Sequence, residues 1–559
     1  MSSTRTRSVD LEPSVVDVRG VARATHRADG ASPEVAFVGA GPGDDGLLTL
    51  RAAERLAQAD VVVVDQPGRQ DLIARRCRPD VEIVDAGFGQ DGQPMTRAAR
   101  AKLVVRAAKK GGRVVRLMDG DPSTFTGLAE EIAACRKDDV PFEVVPGVSA
   151  ATAVPAYAGV PLTPAGTLGL HIVSPSGVTV DWTLHAGAGT SLVILGHVDD
   201  VVGAAPGLLA AGRDPRTPVA VTARGTTVQQ RTITCSLGEV AAAVPAGRLE
   251  GPVTAVIGEA AGMQESASWY ETKPLFGWRV LVPRTKEQAG TMADRLAEHG
   301  ATADIVPTIA VEPPRTPHQI EKAVKGLVTG RYEWIGFTSV NAVRAIREKF
   351  EEFGLDARAF AGLKVAAVGG VTAAALREWG IEPDLVPTGE QEQSASGLLE
   401  IWPLFDEVLD PINRVFLPRA DIATDTLVAG LQAGGWEVDD VTAYRTVRAA
   451  PPPADVRDAI KTGQFDAVVF TSSSTVRNLV GIAGKPHPAT VVACIGPATA
   501  KTAEEHGLRV DVLAAEPSTE ALVAALAEYG HGLRISAAEA GEPVVRPSRR
   551  KGTTRRTAK

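Results

Sequence analysis

At 559 residues the chain is too long for a single hydrophobic core, and its length predicts about three or four domains. Its 44% hydrophobic and 23% charged residues are ordinary for a globular protein, while the 4% of aromatic residues and the net charge of −8 argue against a nucleic-acid partner. The sequence has no uncharged apolar run of about 18 residues, which argues against a membrane partner. Four cysteines without paired spacing argue against a metal site and fit a cytoplasmic location.

Both ends of the chain are polar and lack hydrophobic periodicity. We therefore expect residues 1–32 to be a disordered leader and residues 531–559 to be a disordered basic tail. The tail's Arg and Lys residues suit either solubilisation or a contact with nucleic acid, and the sequence leaves its role open.

Ordered structure is predicted to begin with an apolar strand at residues 35–38, which runs into a glycine turn and then into a helical pattern of leucines. Two further apolar strands end at polar residues, the first at Asp65 and the second at Asp119-Gly120-Asp121. Ligands bind at the carboxyl ends of parallel strands in open α/β sheets, so the pattern predicts an α/β fold with a ligand site at these turns.

The next motifs are Pro146-Gly147-Val148-Ser149-Ala150 and Tyr157-Ala158-Gly159-Val160-Pro161-Leu162-Thr163. With the earlier glycine turn and the Gly-Asp-Pro turn, they make residues 35–259 resemble the tetrapyrrole methylase family, above all its uroporphyrinogen-III C-methyltransferase branch. The resemblance implies subdomains at about 33–150 and 151–262, S-adenosylmethionine between them, a catalytic Asp65 and a homodimer. It places the cofactor contacts at Pro42, Asp119, Gly120, Asp121, Thr124, Ser149, Ala150, Leu195 and Gly225.

Five places depart from that family's pattern, and each lacks a basic residue that could pair with a tetrapyrrole carboxylate. The residues now found there are Gln66, Ala86, Met118, Gly127 and the pair Pro164-Ala165. Asp119 adds a negative charge that would repel such a substrate. We therefore expect a methylase fold with weak or lost C-methylation. Two alternatives stay open: a bifunctional enzyme that methylates its own product towards sirohaem or cobalamin, and a regulatory module that binds S-adenosylmethionine or the product.

Residues 263–277 are polar and are predicted to be a linker, after which the sequence repeats itself. Residues 279–284 (Arg-Val-Leu-Val-Pro-Arg) recur as 414–419 (Arg-Val-Phe-Leu-Pro-Arg), Phe-Thr-Ser at 337–339 recurs at 470–472, and the glycine turn at 368–373 recurs at 495–500. Alternating strands and helices predict two parallel-sheet lobes with a ligand cleft between them.

Hydroxyl and guanidinium groups at the predicted strand ends suit carboxylates or phosphates, although the hydroxyls could equally be helix N-caps. The candidate substrate-binding residues are Arg284, Thr338, Ser339, Thr372, Arg419, Thr471, Ser472 and Thr499.

The duplicated motifs, together with Tyr444-Arg445-Thr446, make residues 278–530 resemble uroporphyrinogen-III synthase. The resemblance implies ring closure of the linear tetrapyrrole hydroxymethylbilane, with inversion of its last pyrrole ring and without a cofactor. It also implies discontinuous lobes, 278–308 with 445–530 and 309–444, which are bridged near Val306-Pro307 and Val441–Tyr444. Tyr444 matches the family's functionally implicated tyrosine, so it is our candidate for the weak acid that assists loss of the substrate hydroxyl; the alternative is a hinge aromatic.

Overall fold

The computed structural model describes residues 34–65, 69–89, 92–387 and 394–549, apart from the side chains of residues 286–288. It divides into two compact units, Met1–Tyr270 (unit 1) and Glu271–Lys559 (unit 2). The predicted leader at 1–32 lies outside the described residues. None of the described helices has both the length and the apolar character needed to cross a bilayer.

Unit 1 begins with a parallel sheet that has helices on both faces. The described residues form a sheet of order β3-β2-β4-β1-β5. Alternate residues of its first strand in the chain, which lies between two others, enter opposite cores, Val35 and Phe37 on one face and Ala36 and Val38 on the other. The elements are β1 (Glu34–Gly39), α1 (Leu50–Gln58), β2 (Val61–Val64), α2 (Gln70–Arg76), β3 (Glu82–Asp85), α3 (Arg97–Lys109), β4 (Arg113–Met118), α4 (Leu128–Lys137) and β5 (Phe142–Val145).

The second half of unit 1 is a mixed sheet of order β6-β7-β10-β8-β9 in the described residues. Only the β6–β7 pair in this sheet is parallel. Its elements are α5 (Ala150–Ala158), β6 (Gly169–Val173), β7 (Thr190–Gly196), α6 (Val198–Ala210), β8 (Pro218–Ala223), β9 (Arg231–Ser236), α7 (Val240–Ala246), β10 (Val253–Ile257) and α8 (Gln264–Ala267).

The segment predicted to be a polar linker is packed structure over its first half. After α8, the rings of Trp269 and Tyr270 lie edge-to-face on Tyr157, with centroids 5.1 and 4.7 Å away. The Trp269 indole Nε1 also donates to the carbonyl of Ala156 at 2.9 Å. The correction has a physical reason, because Tyr270 is buried while Trp269, although 47% exposed, is held by a ring contact and a hydrogen bond. Further on, Leu275 is buried in a core of unit 2.

Unit 2 consists of two sheets, which confirms the predicted bilobal α/β fold. In the described residues the first lobe has the order β12-β11-β18-β19-β20, and the second has the order β13-β17-β16-β14-β15. The elements are β11 (Arg279–Val282), α9 (Lys286–Glu298), β12 (Thr302–Ile305), β13 (Ile309–Glu312), α10 (Pro317–Val328), β14 (Trp334–Phe337), α11 (Val340–Glu352), β15 (Lys364–Ala367), α12 (Gly370–Glu378), α13 (Ala395–Ile401), β16 (Arg414–Ala420), α14 (Thr426–Ala433), β17 (Glu437–Arg448), α15 (Ala454–Thr462), β18 (Ala467–Phe470), α16 (Ser473–Ala483), β19 (Val491–Cys494), α17 (Pro497–Glu505), β20 (Val512–Leu513) and α18 (Thr519–Glu539).

The two sequence repeats exchange their first strands between the lobes. Strand β11 comes from the first repeat but pairs in parallel with β18 of the second. Strand β16 opens the second repeat but pairs with β14 of the first. Each lobe therefore has the same core order, with its Pro-Arg strand beside its Phe-Thr-Ser strand.

The second bridge between the lobes lies later in the chain than the sequence predicted. Strand β17 runs through Tyr444 as far as Arg448, because its last residues pair antiparallel with β13. The chain then leaves this lobe at residues 449–453, where the Ala449 amide donates to the carbonyl of Thr308 at 3.2 Å. The predicted bridge at Val441–Tyr444 is therefore part of a strand. Periodicity shows that a strand continues, but not that it changes partner.

The predicted basic tail begins as structure, since α18 continues to Glu539 and residues 546–549 dock on the first lobe. We call residues 546–549 the C-terminal strap. The Arg546 guanidinium donates to the carbonyl of Gly277, and the Ser548 amide donates to the Asp466 carboxylate at 3.0 Å. Asp466 is buried and also accepts the Arg279 amide at 2.8 Å. The strap thus covers the amino ends of β11 and β18, opposite the edge where ligands are expected.

We expect removal of residues 544–559 to destabilise unit 2 by about 1–3 kcal/mol, because the buried Asp466 carboxylate loses one of its two amide donors. Denaturant unfolding of the full chain and of the truncated chain measures this difference. A chain that lacks only residues 550–559 keeps the strap and is the matched control. Equal stability of all three chains would show that the strap contributes nothing.

Candidate functional site

The loops predicted to hold a cofactor meet at the carboxyl edge of the first sheet of unit 1. Gly41 and Gly120 exchange backbone hydrogen bonds of 3.2 and 2.9 Å across two of these loops. A Cβ on Gly147 would lie 2.2 Å from the Gly120 oxygen, and a Cβ on Gly39 would lie 2.5 Å from the Gly147 Cα. Only glycine allows backbones to approach this closely, so these positions have a structural reason to be glycine.

Three of the predicted cofactor-binding side chains are used inside these loops. Asp121 accepts hydrogen bonds from the amides of Gly147 and Ser123, both at 2.9 Å, and from Thr124 Oγ1 at 3.4 Å. Burial favours the protonated form of Asp121, but the hydrogen bonds from Ser123, Gly147 and Thr124 outweigh it and lower the pKa. Ser149 caps α5 by accepting the Ala151 amide at 3.2 Å. A ligand here would therefore meet mainly backbone.

The remaining predicted contacts connect this edge to the second half of unit 1. Pro42 lies between Gly41 and Gly43, and a Cβ on Gly43 would come within 2.9 Å of the Gly225 oxygen. The neighbouring Asp44 amide donates to Thr226 Oγ1 at 3.0 Å. Leu195 packs against the apolar cluster that contains Ala151, the residue after Ala150. The predicted positions thus lie on adjoining turns of both subdomains.

Gly120 stands where one of these turns meets the start of α5. Gly120 has a positive φ of 65°, and a Cβ there would meet its nearest neighbour, the Ala150 nitrogen, at 3.6 Å. That distance is ordinary van der Waals contact, so the Gly120 turn packs against the start of α5 without the overlap that a Cβ would meet at Gly39 or Gly147.

The carboxylate of Asp119 is paired rather than free. Arg69 approaches it with Nη2 at 2.7 Å and Nε at 2.9 Å, and the same Arg69 Nη2 donates to the carbonyl of Gly41 at 2.9 Å. The pair removes the net negative charge that the sequence suggested at this turn. Sequence reasoning missed Arg69 because its partner lies 50 residues away.

Asp65, the predicted catalytic carboxylate of unit 1, is held by a cluster of charges. Arg116 Nη2 lies 2.8 Å from both Asp65 oxygens, and Arg116 Nε donates to Glu131 at 2.9 Å. The side chains of Arg116 and Glu131 are 0% and 1% exposed. Burial raises the pKa of Glu131 while Arg116 opposes that rise. Arg100 adds a longer contact to Asp65 at 3.5 Å. The sequence offered one signal for this cluster: Arg116 is a charged residue inside the apolar run of strand β4, and a buried charge needs an oppositely charged partner.

Tyr444 lies in unit 2 at an irregularity of β17. The register with β16 passes from Arg419–Thr442 to Ala420–Tyr444, so Ala443 is an extra residue. Such a bulge changes the direction of the next side chain. The Tyr444 phenol is 7% exposed and lies 2.9 Å from Ser339 Oγ, at the carboxyl end of β14.

The predicted serine and threonine residues follow strand ends in both lobes. Ser339 caps α11 by accepting the Ala342 amide at 3.1 Å, and Ser472 caps α16 by accepting the Thr475 amide at 3.3 Å. The N-cap alternative therefore holds for both. Thr338 and Thr471 precede these caps and are half-buried, whereas Thr372 and Thr499 are buried in the first turns of α12 and α17.

The two predicted arginines differ in their surroundings. Arg419 is buried and makes a two-pronged pair with Asp440, with Nε 2.7 Å from Oδ1 and Nη2 close to Oδ2. Arg284 follows β11 and is half-buried, and no carboxylate among the described side chains pairs with it. Burial lowers the pKa of Arg284. Arg419 thus supports its own lobe, whereas the described side chains give Arg284 no carboxylate partner.

The two units are a glycine-lined α/β unit and a duplicated bilobal unit, and comparisons with known proteins assign both to tetrapyrrole biosynthesis. A family model described as tetrapyrrole (corrin/porphyrin) methylases matches residues 34–241, and the model of uroporphyrinogen-III synthase HemD matches residues 290–524. The porphyrin biosynthesis protein HemD of Ruminiclostridium josui is 31% identical over 515 residues, which cover 89% of this chain and 98% of that protein. The chain therefore belongs to the family of porphyrin biosynthesis proteins in which a tetrapyrrole methylase region precedes a uroporphyrinogen-III synthase region.

Other relatives match parts of the chain. Siroheme synthase 2 of Yersinia pestis is 39% identical over 258 residues, 44% of this chain and 52% of that protein, so the chain spans about half of its length. Uroporphyrin-III C-methyltransferase of Thermus thermophilus is a solved structure that is 34% identical, with a TM-score of 0.36, over 41% of this chain and 99% of that one. Uroporphyrinogen III synthase of the same bacterium is 21% identical, with a TM-score of 0.32, over 46% of this chain and 99% of that one.

Proposed function

We propose that unit 2 closes the ring of hydroxymethylbilane, with inversion of the last pyrrole ring, to give uroporphyrinogen III. The observation that carries the proposal is the buried Tyr444 phenol beside Ser339, at the ligand edge of the second lobe. It supplies a weak acid at the place where parallel sheets bind ligands. We propose further that this unit uses no cofactor and that the enzyme is cytoplasmic.

The first chemical step is loss of the substrate hydroxyl as water. Tyr444 gives its proton to that hydroxyl, the carbon–oxygen bond breaks, and the lone pair of the pyrrole nitrogen stabilises the cation that remains. Ring closure with inversion then forms a carbon–carbon bond from this cationic carbon to the substituted α-carbon of the last pyrrole. The bond from that α-carbon to the preceding methylene bridge breaks, and the bridge bonds instead to the free α-carbon, which releases one proton and restores the phenol. Because the linear precursor also closes unaided to the wrong isomer, the second contribution of the protein is to position the last ring.

The carboxylates of the substrate are held at helix starts. Helices α11, α12, α16 and α17 each begin where a parallel strand of one of the lobes ends, so their free amides point towards the ligand edge. Thr338 and Thr471 add hydroxyls at two of these ends. Arg284 adds a cation that no carboxylate among the described side chains of the first lobe neutralises.

We expect Arg284→Met to raise KM for hydroxymethylbilane about 10-fold, because it removes a charge-assisted hydrogen bond of about 1.5–3 kcal/mol. The value of kcat should change little, since Arg284 takes no part in the proton transfer. Initial rates over a range of substrate concentrations separate the two constants. Arg295→Met removes one half-buried positive charge, paired with Glu520, from the same lobe and is the control. An unchanged KM for Arg284→Met would exclude the carboxylate contact.

For unit 1 we propose a domain that binds S-adenosylmethionine and has weak or lost C-methylation. The backbone around Pro42, Gly120, Ala150 and Gly225 would hold the cofactor, which when bound supplies an electrophilic methyl group. Support for weak methylation comes from the arginines at this edge. Arg69, Arg97, Arg100 and Arg116 all pair with carboxylates of unit 1 rather than offering free charges to a tetrapyrrole.

The second candidate is a bifunctional enzyme that methylates its own uroporphyrinogen III. The complete glycine framework and the hydrogen-bonded Asp121 favour it, because they are the parts that a bound cofactor requires. A third possibility is a regulatory module that binds S-adenosylmethionine or the product. All three proposals for unit 1 include a homodimer formed through this unit, which the resemblance to the methylase family implies.

One experiment distinguishes these versions. The whole protein receives hydroxymethylbilane with or without S-adenosylmethionine, and mass spectrometry with isomer separation identifies the products. Uroporphyrinogen III in both arms supports the synthase proposal, and methylated product in the second arm alone supports the bifunctional enzyme. Calorimetry with S-adenosylmethionine then tests whether a silent unit 1 binds the cofactor. Uroporphyrinogen I alone would refute the synthase.

A further inference from the structure

We propose that Ser339 is a positioning residue that acts through Tyr444, rather than a substrate-binding residue. The inference rests on the proposed synthase function of unit 2. Its basis is one hydrogen-bond chain, in which the Ala342 amide donates to Ser339 Oγ at 3.1 Å and Ser339 Oγ lies 2.9 Å from the Tyr444 oxygen.

Either hydroxyl could donate in the second hydrogen bond, and the proposal assigns Ser339 as the donor. A serine hydroxyl has one hydrogen and accepts at its lone pairs. In Ser339 one lone pair already accepts the Ala342 amide, so the Ser339 hydrogen can point to Tyr444. The Tyr444 hydrogen is then free to face the substrate. If Tyr444 instead donated to Ser339, its proton would be engaged inside the protein and could not assist hydroxide departure.

This arrangement also stabilises what Tyr444 becomes. When the phenol gives its proton to the departing hydroxyl, the phenolate left behind accepts the Ser339 hydrogen bond, which strengthens because its acceptor is now charged. The proton released at ring closure later returns to Tyr444. The Ser339 oxygen is held in place because it caps α11, a helix of 13 residues, so the donor needs little reorganisation.

Among the described residues, the first lobe lacks a matching serine–tyrosine hydrogen bond at the equivalent serine. Ser472 occupies the equivalent place and caps α16, but its hydroxyl contacts Ser474 Oγ at 2.8 Å instead of a tyrosine. The bulge that turns Tyr444 inward lies in β17 of the second lobe. The two lobes of one duplicated pattern therefore carry different tasks, and the acid is confined to the second.

A double-mutant cycle tests the inference on the whole protein. Ser339→Ala should lower kcat for uroporphyrinogen III about 10-fold, with a smaller change in KM. Ser339→Thr keeps a hydroxyl and should recover most of kcat. In a Tyr444→Phe background, adding Ser339→Ala should lower kcat no further, because Ser339 has nothing left to act on. Ser518→Ala removes the N-cap of α18 and controls for the loss of a helix cap.

Each other outcome has a distinct meaning. If Ser339→Ala lowers kcat equally in the wild-type and Tyr444→Phe backgrounds, Ser339 acts independently of Tyr444 and the inference fails. It also fails if Ser339→Ala keeps the wild-type kcat, or if the loss matches that of Ser518→Ala. If the unmodified protein forms no uroporphyrinogen III, the proposed function itself fails. That result is distinguishable because it appears before any variant is made.

Discussion

Tyr444→Phe should lower kcat for uroporphyrinogen III formation by about 100-fold, at the lower end of what a positioned general acid contributes. Phenylalanine keeps the ring that packs in the core of the second lobe and removes only the oxygen next to Ser339. The fold should therefore persist while the proton donor is lost. Because the substrate also closes unaided, the fraction of uroporphyrinogen I among the products should rise as the enzymatic rate falls.

Tyr332→Phe is the matched control for this variant. Tyr332 is buried in the same core, and its phenol donates to Asp439 at 2.7 Å, away from Ser339. Its loss should lower stability somewhat and leave kcat near the wild-type value. Initial rates and the isomer ratio by chromatography are the measurements. Full activity of Tyr444→Phe would leave Tyr444 as a packing aromatic in the core of the second lobe, since the chain leaves this lobe only after Arg448.

The fold of unit 2 could be predicted because its signals are local and repeated. Buried strands such as Val280–Val282 and Val415–Leu417 are short apolar runs that end at a proline and an arginine, and the same order of motifs occurs twice. Which strands pair with each other was harder to predict from the sequence. Nothing in residues 445–448 signals that β17 would take β13 as an antiparallel partner, because pairing depends on a strand more than 130 residues earlier.

The candidate sites also combine features that could be predicted from the sequence with features that could not. Backbone requirements are visible in sequence, since glycine and proline at turns reveal close approach and fixed dihedrals. Charge pairing is not visible, because it depends on distant residues. Arg284 and Arg419 hold equivalent positions in the two sequence repeats, yet it is Arg419 that forms an ion pair with Asp440. Likewise, Asp119 looks repulsive until Arg69 is placed beside it.

Arg116→Met should destabilise unit 1 by about 3–5 kcal/mol, the cost of removing one partner of a buried ion pair. The Arg116 guanidinium lies between Glu131 and Asp65, and no part of it reaches solvent. Without it, Glu131 must either remain charged in a buried place or take up a proton. Burial already raises the pKa of Glu131, and loss of Arg116 would raise it further. The instability should therefore be greatest at neutral and alkaline pH and smaller in mild acid, where Glu131 can be neutral.

Two comparisons separate this cause from a simple loss of contacts. Arg97→Met removes an exposed arginine that pairs with Glu130, so it should change stability by no more than about 1 kcal/mol. The double variant Arg116→Met/Glu131→Met replaces the pair with apolar side chains and should recover most of the loss, because no buried charge is left unpaired. Denaturant unfolding, with hydrogen exchange of the β4 amides to locate the change, gives all three values. If the double variant is as unstable as Arg116→Met alone, the buried charge is not the cause, and the contacts of Arg116 with Asp65 and the carbonyl of Leu117 must carry the stability instead.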